Sequence, residues 1–228
     1  MTNVGKSSSA SFSKQTFSPV TPHILSKFYL MTREDIDGQK RCRWVPQKKP
    51  LYVKYHDEEW GVPVTDDKKM FEFIVLESFQ AGLSWEIILN KRENFRKAFS
   101  RFDPEKVAAY GKKKIDELVQ DAGIVRNRKK ILAAINNAQR FLEIADMSHN
   151  FCNYFWQFTD NKPIINRWKT DQNIPANTKL SDTISADMKK CGFKFFGTTV
   201  CYAHMQAVGM VNDHTMECFR HGECEALA

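Results

Sequence analysis

The sequence predicts an all-α fold, a single globule, on three observations. Apolar residues recur at helical spacing along most of the chain, helix-starting residues stand at the heads of those stretches, and strand-like alternation is nearly absent. With 228 residues, 42% of them hydrophobic, the chain is long enough to bury a substantial core in one domain.

The elements follow in order. "TDDKKMFEFIVLESFQ" offers Thr65 or Asp66 as N-cap to a helix carrying Met70, Phe71, Phe73, Ile74, Val75 and Leu76, too apolar for a surface position. "SWEIILNKRENFRKAF" starts a second helix with Ser84 as cap, and "DPEKVAAY" a third, with Asp103 capping and Pro104 in the first turn. "KKIDELVQDAG" is expected to close on Gly123 in the left-handed conformation. "NRKKILAAINNAQRFLEIA" places Ile131, Leu132, Ile135, Ala138, Phe141 and Leu142 at helical spacing behind a basic cluster of Arg126, Arg128, Lys129 and Lys130. "RWKTDQNIPANTK" is polar and expected to be irregular.

Residues 1–30 contain seven Ser, no Asp or Glu, and no compact apolar block beside a cleavage-like site. They predict a disordered extension rather than a secretory signal, and the lack of Arg speaks against a transit peptide. The extension is drawn over residues 1–37 and the helical domain over 38–228, with Met31 a candidate alternative start. Of the formal net charge of +7, three lysines of the first 30 residues supply +3, which leaves residues 31–228 only mildly basic at +4. A polyanion is a reasonable partner, but charge alone does not single it out. No run of about 18 apolar residues exists, so no membrane span is expected.

The six cysteines lack the regular spacing of a secreted disulfide scaffold, which fits a reduced, cytoplasmic compartment. His214 and Cys218 stand four residues apart in "GMVNDHTMECFRHGEC", close enough on a helix to share a metal ion. Cys42 and His56 would complete a Cys2His2 set with no open position, a structural rather than catalytic arrangement. From spacing alone His221 and Cys224 compete as the C-terminal pair.

The stretches "YHDEEWGVP", "LESFQAGLSW", "KRENFRKAF", "FDPEKVA", "QDAGIVRNRKKI" and "CGFKFFGTTVCYAHMQAVGMVNDH" resemble, in this order, the type I, constitutive 3-methyladenine-DNA glycosylases. The resemblance runs from Cys42 to about Cys218. It implies a helix-hairpin-helix DNA glycosylase fold, and one structural zinc per chain held by Cys42, His56, His214 and Cys218, clamping the N- and C-terminal segments together. It implies base-excision repair: hydrolysis of the N-glycosidic bond of 3-methyladenine in double-stranded alkylated DNA, without a lyase step. No obligate protein partner is implied, and the place of action would be the cytoplasm with the nucleoid.

The implied site is local. Glu77 would hydrogen-bond the flipped purine and serve as the catalytic carboxylate, Trp85 would stack on it, and Tyr55 would touch it. The turn Gln80, Ala81, Gly82 and Leu83 would fill the vacated stack. Trp44 is a candidate base contact, although core packing is the commoner role for it and for Trp60. A carboxylate on the apolar "FIVLESF" segment needs a reason to be buried. The expectation is an anionic Glu77 that attracts a cationic lesion. Ser78 and Phe79, where some relatives carry small or polar residues, suggest a slightly altered pocket. In "ADMKKCGFKFFGTTVCYAHMQAVG", Gly192 suits a helix end, Gly197 a close backbone approach, and Thr198 or Thr199 a cap, so that backbone amides, with Lys194 beside them, would grip a DNA phosphate. An ordinary helix–helix turn is the alternative. Lys194 precedes the Gly197 turn and matches no Schiff-base lysine, and Asp213, adjoining His214, reads as structural. The rival from another class is a zinc-stabilised, non-catalytic DNA-binding module, which leaves Glu77 and Trp85 unexplained.

Overall fold

A computed structural model describes Met1 and residues 37–228. The extension expected over residues 1–37 therefore lies, Met1 and Asp37 apart, outside the described residues. The helices are α1 (Pro50–Glu58), α2 (Asp67–Gln80), α3 (Trp85–Ala98), α4 (Pro104–Ala108), α5 (Lys112–Gln120), α6 (Arg128–Ser148), α7 (Phe151–Trp156), α8 (Lys179–Lys190), α9 (Thr198–Ala207) and α10 (Phe219–Glu225).

α2 organises the rest. Asp66 caps it by accepting from the Lys69 amide at 2.8 Å, and every residue from Met70 to Phe79 is buried. A helix apolar on all sides must be sheathed, and α3, α6, α7 and α9 pack around it. Its Phe71, Phe73 and Phe79 join Phe95, Phe99, Phe102, Phe141, Phe151 and Phe155 in a fully buried aromatic core. Pairs such as Phe79–Phe95, edge-on at 4.8 Å between ring centres, add directional contacts to plain area burial.

Local signals hold at two of the expected helix starts, those of α2 and α4, and fail at two starts and one end. Asp103 caps α4 as expected, accepting from the Lys106 amide at 3.2 Å. Ser84 stands at the N-cap of α3, but its side chain makes no capping bond. α5 ends at Gln120, and Gly123 is not left-handed; its amide donates to Asp121 Oδ1 at 2.7 Å in an Asx turn. Space there is tight: a Cβ would lie 2.9 Å from that oxygen and 3.2 Å from Asn94. On α6, Ile131, Ile135, Ala138 and Phe141 are buried, whereas Leu132 turns to solvent.

Two short parallel strands lie outside the expected irregular stretch, residues 167–179. β1 (Ile164–Ile165) pairs with β2 (Val211–Asn212), bringing the segment before α8 beside the one after α9. Between β1 and α8 a 3-10 turn spans Asp171–Asn173.

α8 and α9 form the hairpin. Gly192, at φ +88°, ends α8 in a Schellman arrangement: its amide donates to Lys189 O and that of Phe193 to Met188 O, both at 3.0 Å. The expected threonine cap on α9 is not formed. Gly197 occupies the N-cap, and Thr198 is the first helical residue, its hydroxyl donating to Asp182 at 2.6 Å. The hydroxyl is thus tied back to α8 rather than folded over its own helix.

After α9 the chain reverses at Gly209, φ +69°, against the segment following α1. A Cβ there would sit 2.2 Å from the Val62 carbonyl carbon and 2.4 Å from the Pro63 nitrogen. Backbone on both sides cannot yield as a flexible side chain would. Gly209→Ala is expected to destabilise the fold by about 3 kcal/mol or more, checked by urea unfolding against the parent chain.

Candidate functional site

Cys42, His56, His214 and Cys218 converge, all buried, with their donor atoms within 4.8 Å of one another, a cluster that can hold a metal ion. Cys218 Sγ lies 3.5 Å from His56 Nε2 and 3.4 Å from His214 Nδ1, and Cys42 Sγ lies 3.6 Å from His214 Nδ1. The edges of a tetrahedron built on sulfur and imidazole distances to zinc are about 3.3–3.8 Å, and these three separations fall in that range. The outer ring nitrogens settle the tautomers. His56 Nδ1–H donates to Asp57 at 2.7 Å, and His214 Nε2–H donates to the Trp60 carbonyl at 2.9 Å, leaving Nε2 and Nδ1 respectively as lone-pair donors. Asp57 is itself held by Arg41, at 2.6 Å and 2.9 Å. The rival His221 is engaged elsewhere, donating to Asn166 O at 2.9 Å.

A cavity of about 390 Å³ adjoins this cluster, lined by residues that include Trp44, Tyr52, Tyr55, Glu77, Trp85 and Asp171. α1 supplies Tyr52 and Tyr55, three apart and so on one face, α2 supplies Glu77, and the start of α3 supplies Trp85. Tyr55 and Trp85 face each other obliquely, 5.1 Å between ring centres. Trp44 and Trp60 belong to both places: they line the cavity, while Trp44 packs on His56 at 5.3 Å and Trp60 edge-on against His214 at 4.6 Å.

Glu77 is 4% exposed, and burial with no compensating hydrogen bond or cation pushes its carboxyl up to about 8. The free pocket therefore carries a mostly protonated Glu77 near neutrality. The anionic Glu77 expected from the sequence is one that stands opposite a cationic base; burial alone favours the protonated form. Burial and then the nearby Glu77 carboxylate push the Tyr55 phenol well above its usual range. Trp85 Nε1 and Asp171 Oδ1 are also buried without a hydrogen-bond partner. An aromatic cavity edged by unsatisfied polar atoms is built to receive a flat, polar ligand. Among the described residues, no lysine lines it.

Ser78 and Phe79 do not line the cavity, and Phe79 is packed on Phe95 and Phe99. Asp213 is buried and accepts four bonds, from Asn166, Trp168 and Tyr202 at 2.7 Å and from Gln206 at 2.8 Å, which fits the structural role expected of it. Sequence reasoning missed Tyr52, Asp171 and Gln206 as wall residues. Only Tyr52 carried a signal, its spacing from Tyr55. It also missed Arg92, which donates to Glu72 at 2.8 Å and, bidentately, to Glu59 at 2.6 and 2.8 Å.

Two exposed turns flank these elements. Leaving α2, Gln80 to Leu83 form a type II turn with Gly82 at φ +79°, closed by Leu83 N–H to Gln80 O at 2.6 Å and Gln80 Nε2 to Leu83 O at 2.7 Å. A Cβ at Gly82 or at Gly197 would meet nothing within 4 Å, so both backbones are open to a partner. Lys194 and Phe195 are exposed between α8 and α9, and Phe195 holds φ +54°.

Residues 44–221 match the family model described as methyladenine glycosylase. The chain is 51% identical over 179 residues to DNA-3-methyladenine glycosylase 1 of Escherichia coli (strain K12), covering 78% of this chain and 95% of that protein. A crystal structure of 3-methyladenine DNA glycosylase I superposes with a TM-score of 0.76 at 49% identity, over 78% of this chain and 98% of the other. A Tyr-to-Phe variant of such an enzyme, in complex with 3-methyladenine, gives 0.74 at 35% identity, over 75% and 92%.

Proposed function

The chain belongs to the methyladenine glycosylase family, and on that premise we propose that it hydrolyses the N-glycosidic bond of 3-methyladenine in alkylated double-stranded DNA. One observation carries the reading: a buried, unpartnered Glu77 carboxyl in an aromatic cavity, beside the unpartnered Trp85 indole N–H. A DNA-binding module has no use for either.

Methylation at purine N3 leaves the base cationic and its glycosidic bond weakened. The flipped base lies on Trp85 and against Tyr55, and its charge favours loss of the Glu77 proton to solvent, so that near neutrality the carboxylate forms mainly opposite the lesion. Normal adenine offers no such charge. The C1′–N9 bond breaks with its electron pair passing to the base, which leaves neutral. Water adds to the oxocarbenium-like C1′ and loses its proton to solvent, giving an abasic site and free 3-methyladenine. Of the two acids on the wall, Glu77 is assigned to the base. The absence of a lysine from the cavity wall among the described residues supports a monofunctional hydrolase.

Gln80, Ala81, Gly82 and Leu83 fill the gap in the stack, and the open backbone of Gly197 and Thr198, with Lys194, takes a phosphate. Cys42, His56, His214 and Cys218 hold one zinc ion, which supplies cross-linking rather than chemistry, because four protein ligands leave no open position. Trp44 serves both the cavity wall and the metal cluster. The proposed place of action is the cytoplasm; among the described residues no helix is long and apolar enough to cross a membrane.

The test is incubation with methylated duplex and chromatography of what is released. Free 3-methyladenine from an otherwise unbroken strand is the expected result. Duplex binding without release would leave only the binding module, and strand scission without alkali would establish a lyase.

A further inference from the structure

The basic cluster at the head of α6 is not uniform. Arg126, Arg128 and Lys129 are exposed, but Lys130 is buried, and its ammonium donates to Phe79 O at 2.9 Å and to Ala81 O at 2.5 Å. A cation in the first turn of α6 opposes that helix's own dipole. At the C-terminal end of α2 it meets carbonyls that lack helical partners, where positive charge is favoured. These carbonyls bracket Gln80, at the root of the Gln80–Leu83 turn.

Seven residues later, Asn137 is 1% exposed and makes a two-way bond with the backbone of Lys194. Its Nδ2 donates to Lys194 O, and its Oδ1 accepts from Lys194 N–H, both at 2.8 Å. Asn136 Nδ2 adds a bond to Gly192 O at 2.8 Å, and Ser185 Oγ donates to Phe196 O at 2.9 Å. Phe195, left-handed and exposed, is thereby pinned on both sides. A bulky residue holds such a conformation only where its surroundings over-determine it.

Seven residues are nearly two helical turns, so Lys130 and Asn137 lie on one stripe of α6, about 10 Å apart along its axis. We propose that α6 is a brace between the two DNA-engaging turns, with Lys130 the positioning residue of the stack-filling turn and Asn137 that of the hairpin. A rigid separation would let the phosphate grip set where the turn enters the duplex. This rests on the functional reading above for what each turn contacts.

The test uses the full chain and three probes: undamaged duplex, the same duplex with a tetrahydrofuran abasic analogue, and free 3-methyladenine, with single-turnover excision measured alongside. Lys130→Met is expected to cut the preference for abasic over undamaged duplex about tenfold and excision at least tenfold, with free-base binding within twofold of the parent. Lys130→Arg should recover most of the preference. Lys130→Gln, which keeps one donor, gives an intermediate loss and serves if Lys130→Met does not fold. Asn137→Ala should weaken both duplexes about tenfold and leave their ratio unchanged.

A full abasic preference in both Lys130→Met and Lys130→Gln would overturn the brace. So would a fall in free-base binding in step with every other readout in the Lys130 and Asn137 variants alike, the mark of general loosening. The binding ratio is read without catalysis. A parent chain that prefers abasic duplex yet releases no base would fault the glycosylase reading and leave the brace standing.

Discussion

Replacing Glu77 by glutamine is expected to stabilise the protein while removing most of its activity. Burial raises the carboxyl from 4.5 to about 8, so the folded state favours the protonated form. Below pH 4.5 both states are protonated and Glu77 adds no pH-dependent cost. Between 4.5 and 8 the unfolded chain ionises while the folded one does not, and stability falls by about 1.4 kcal/mol per pH unit. At pH 7 this amounts to about 3 kcal/mol. Glutamine has no such slope, and its unpaired amide carries about the burial cost of the neutral carboxyl it replaces, about 1–2 kcal/mol for either, so most of the gain at pH 7 remains. Excision should fall at least tenfold in the variant, because no carboxylate forms opposite the cationic base. The parent's kcat/KM should rise with pH until about 8, where the carboxyl is freely ionised, and the variant should lack that rise. Urea melts at several pH values, with excision assays beside them, check both halves. A Glu77→Gln chain with the parent's pH slope and the parent's rate would show this acid to be an ordinary core residue.

The second large effect is expected at the metal cluster. Cys218→Ala leaves three ligands of four, and the remaining donors are buried with nothing to bind. We expect a loss of about 3–5 kcal/mol, smaller than the full binding energy of a structural zinc because the helical core persists without it. One equivalent of zinc per parent chain should be found by elemental analysis. A strong chelator should lower the parent's Tm toward that of Cys218→Ala and leave the variant's unmoved. A chelated parent that melts as before would remove the clamp. Free-base binding should weaken in the variant, since Trp44 and Trp60 rest on the two histidines.

What could be read from the sequence divides by distance along the chain. Caps and helical periodicity are local, which is why α2 and α4 start where Asp66 and Asp103 accept their amide bonds. Glu77 was visible as a carboxylate on an apolar helix, but its protonation was not, because that depends on walls contributed by α1 and α3. The threonine expected to cap α9 is captured by Asp182 across the hairpin, and Gly123 answers to Asn94 on another helix. Lys130 looked like one more member of a basic run. Its burial depends on two carbonyls about fifty residues earlier, which no window on the sequence contains. The metal set is the extreme case, with Cys42 and His214 172 residues apart. Spacing left His221 and Cys224 as rivals, and only the fold, or the family resemblance, chooses between the pairs.

That separation also orders the protein's assembly during synthesis. The helix bearing Glu77 and the indole of Trp85 are made early, and α2 begins to find partners as soon as α3 emerges. Trp44 and Trp60 are made earlier still, yet the side chains they rest on include His214, which is translated after the hairpin. A nascent chain therefore carries an unfinished wall until the C-terminal segment is released and the cluster closes. Closing a loop of that length costs about 4–5 kcal/mol of chain entropy, which packing of the helical core and a metal held by the four ligands would offset together. The wall of the cavity is thus completed last, after α8 and α9, so a product ending before His214 is expected to lack a finished pocket.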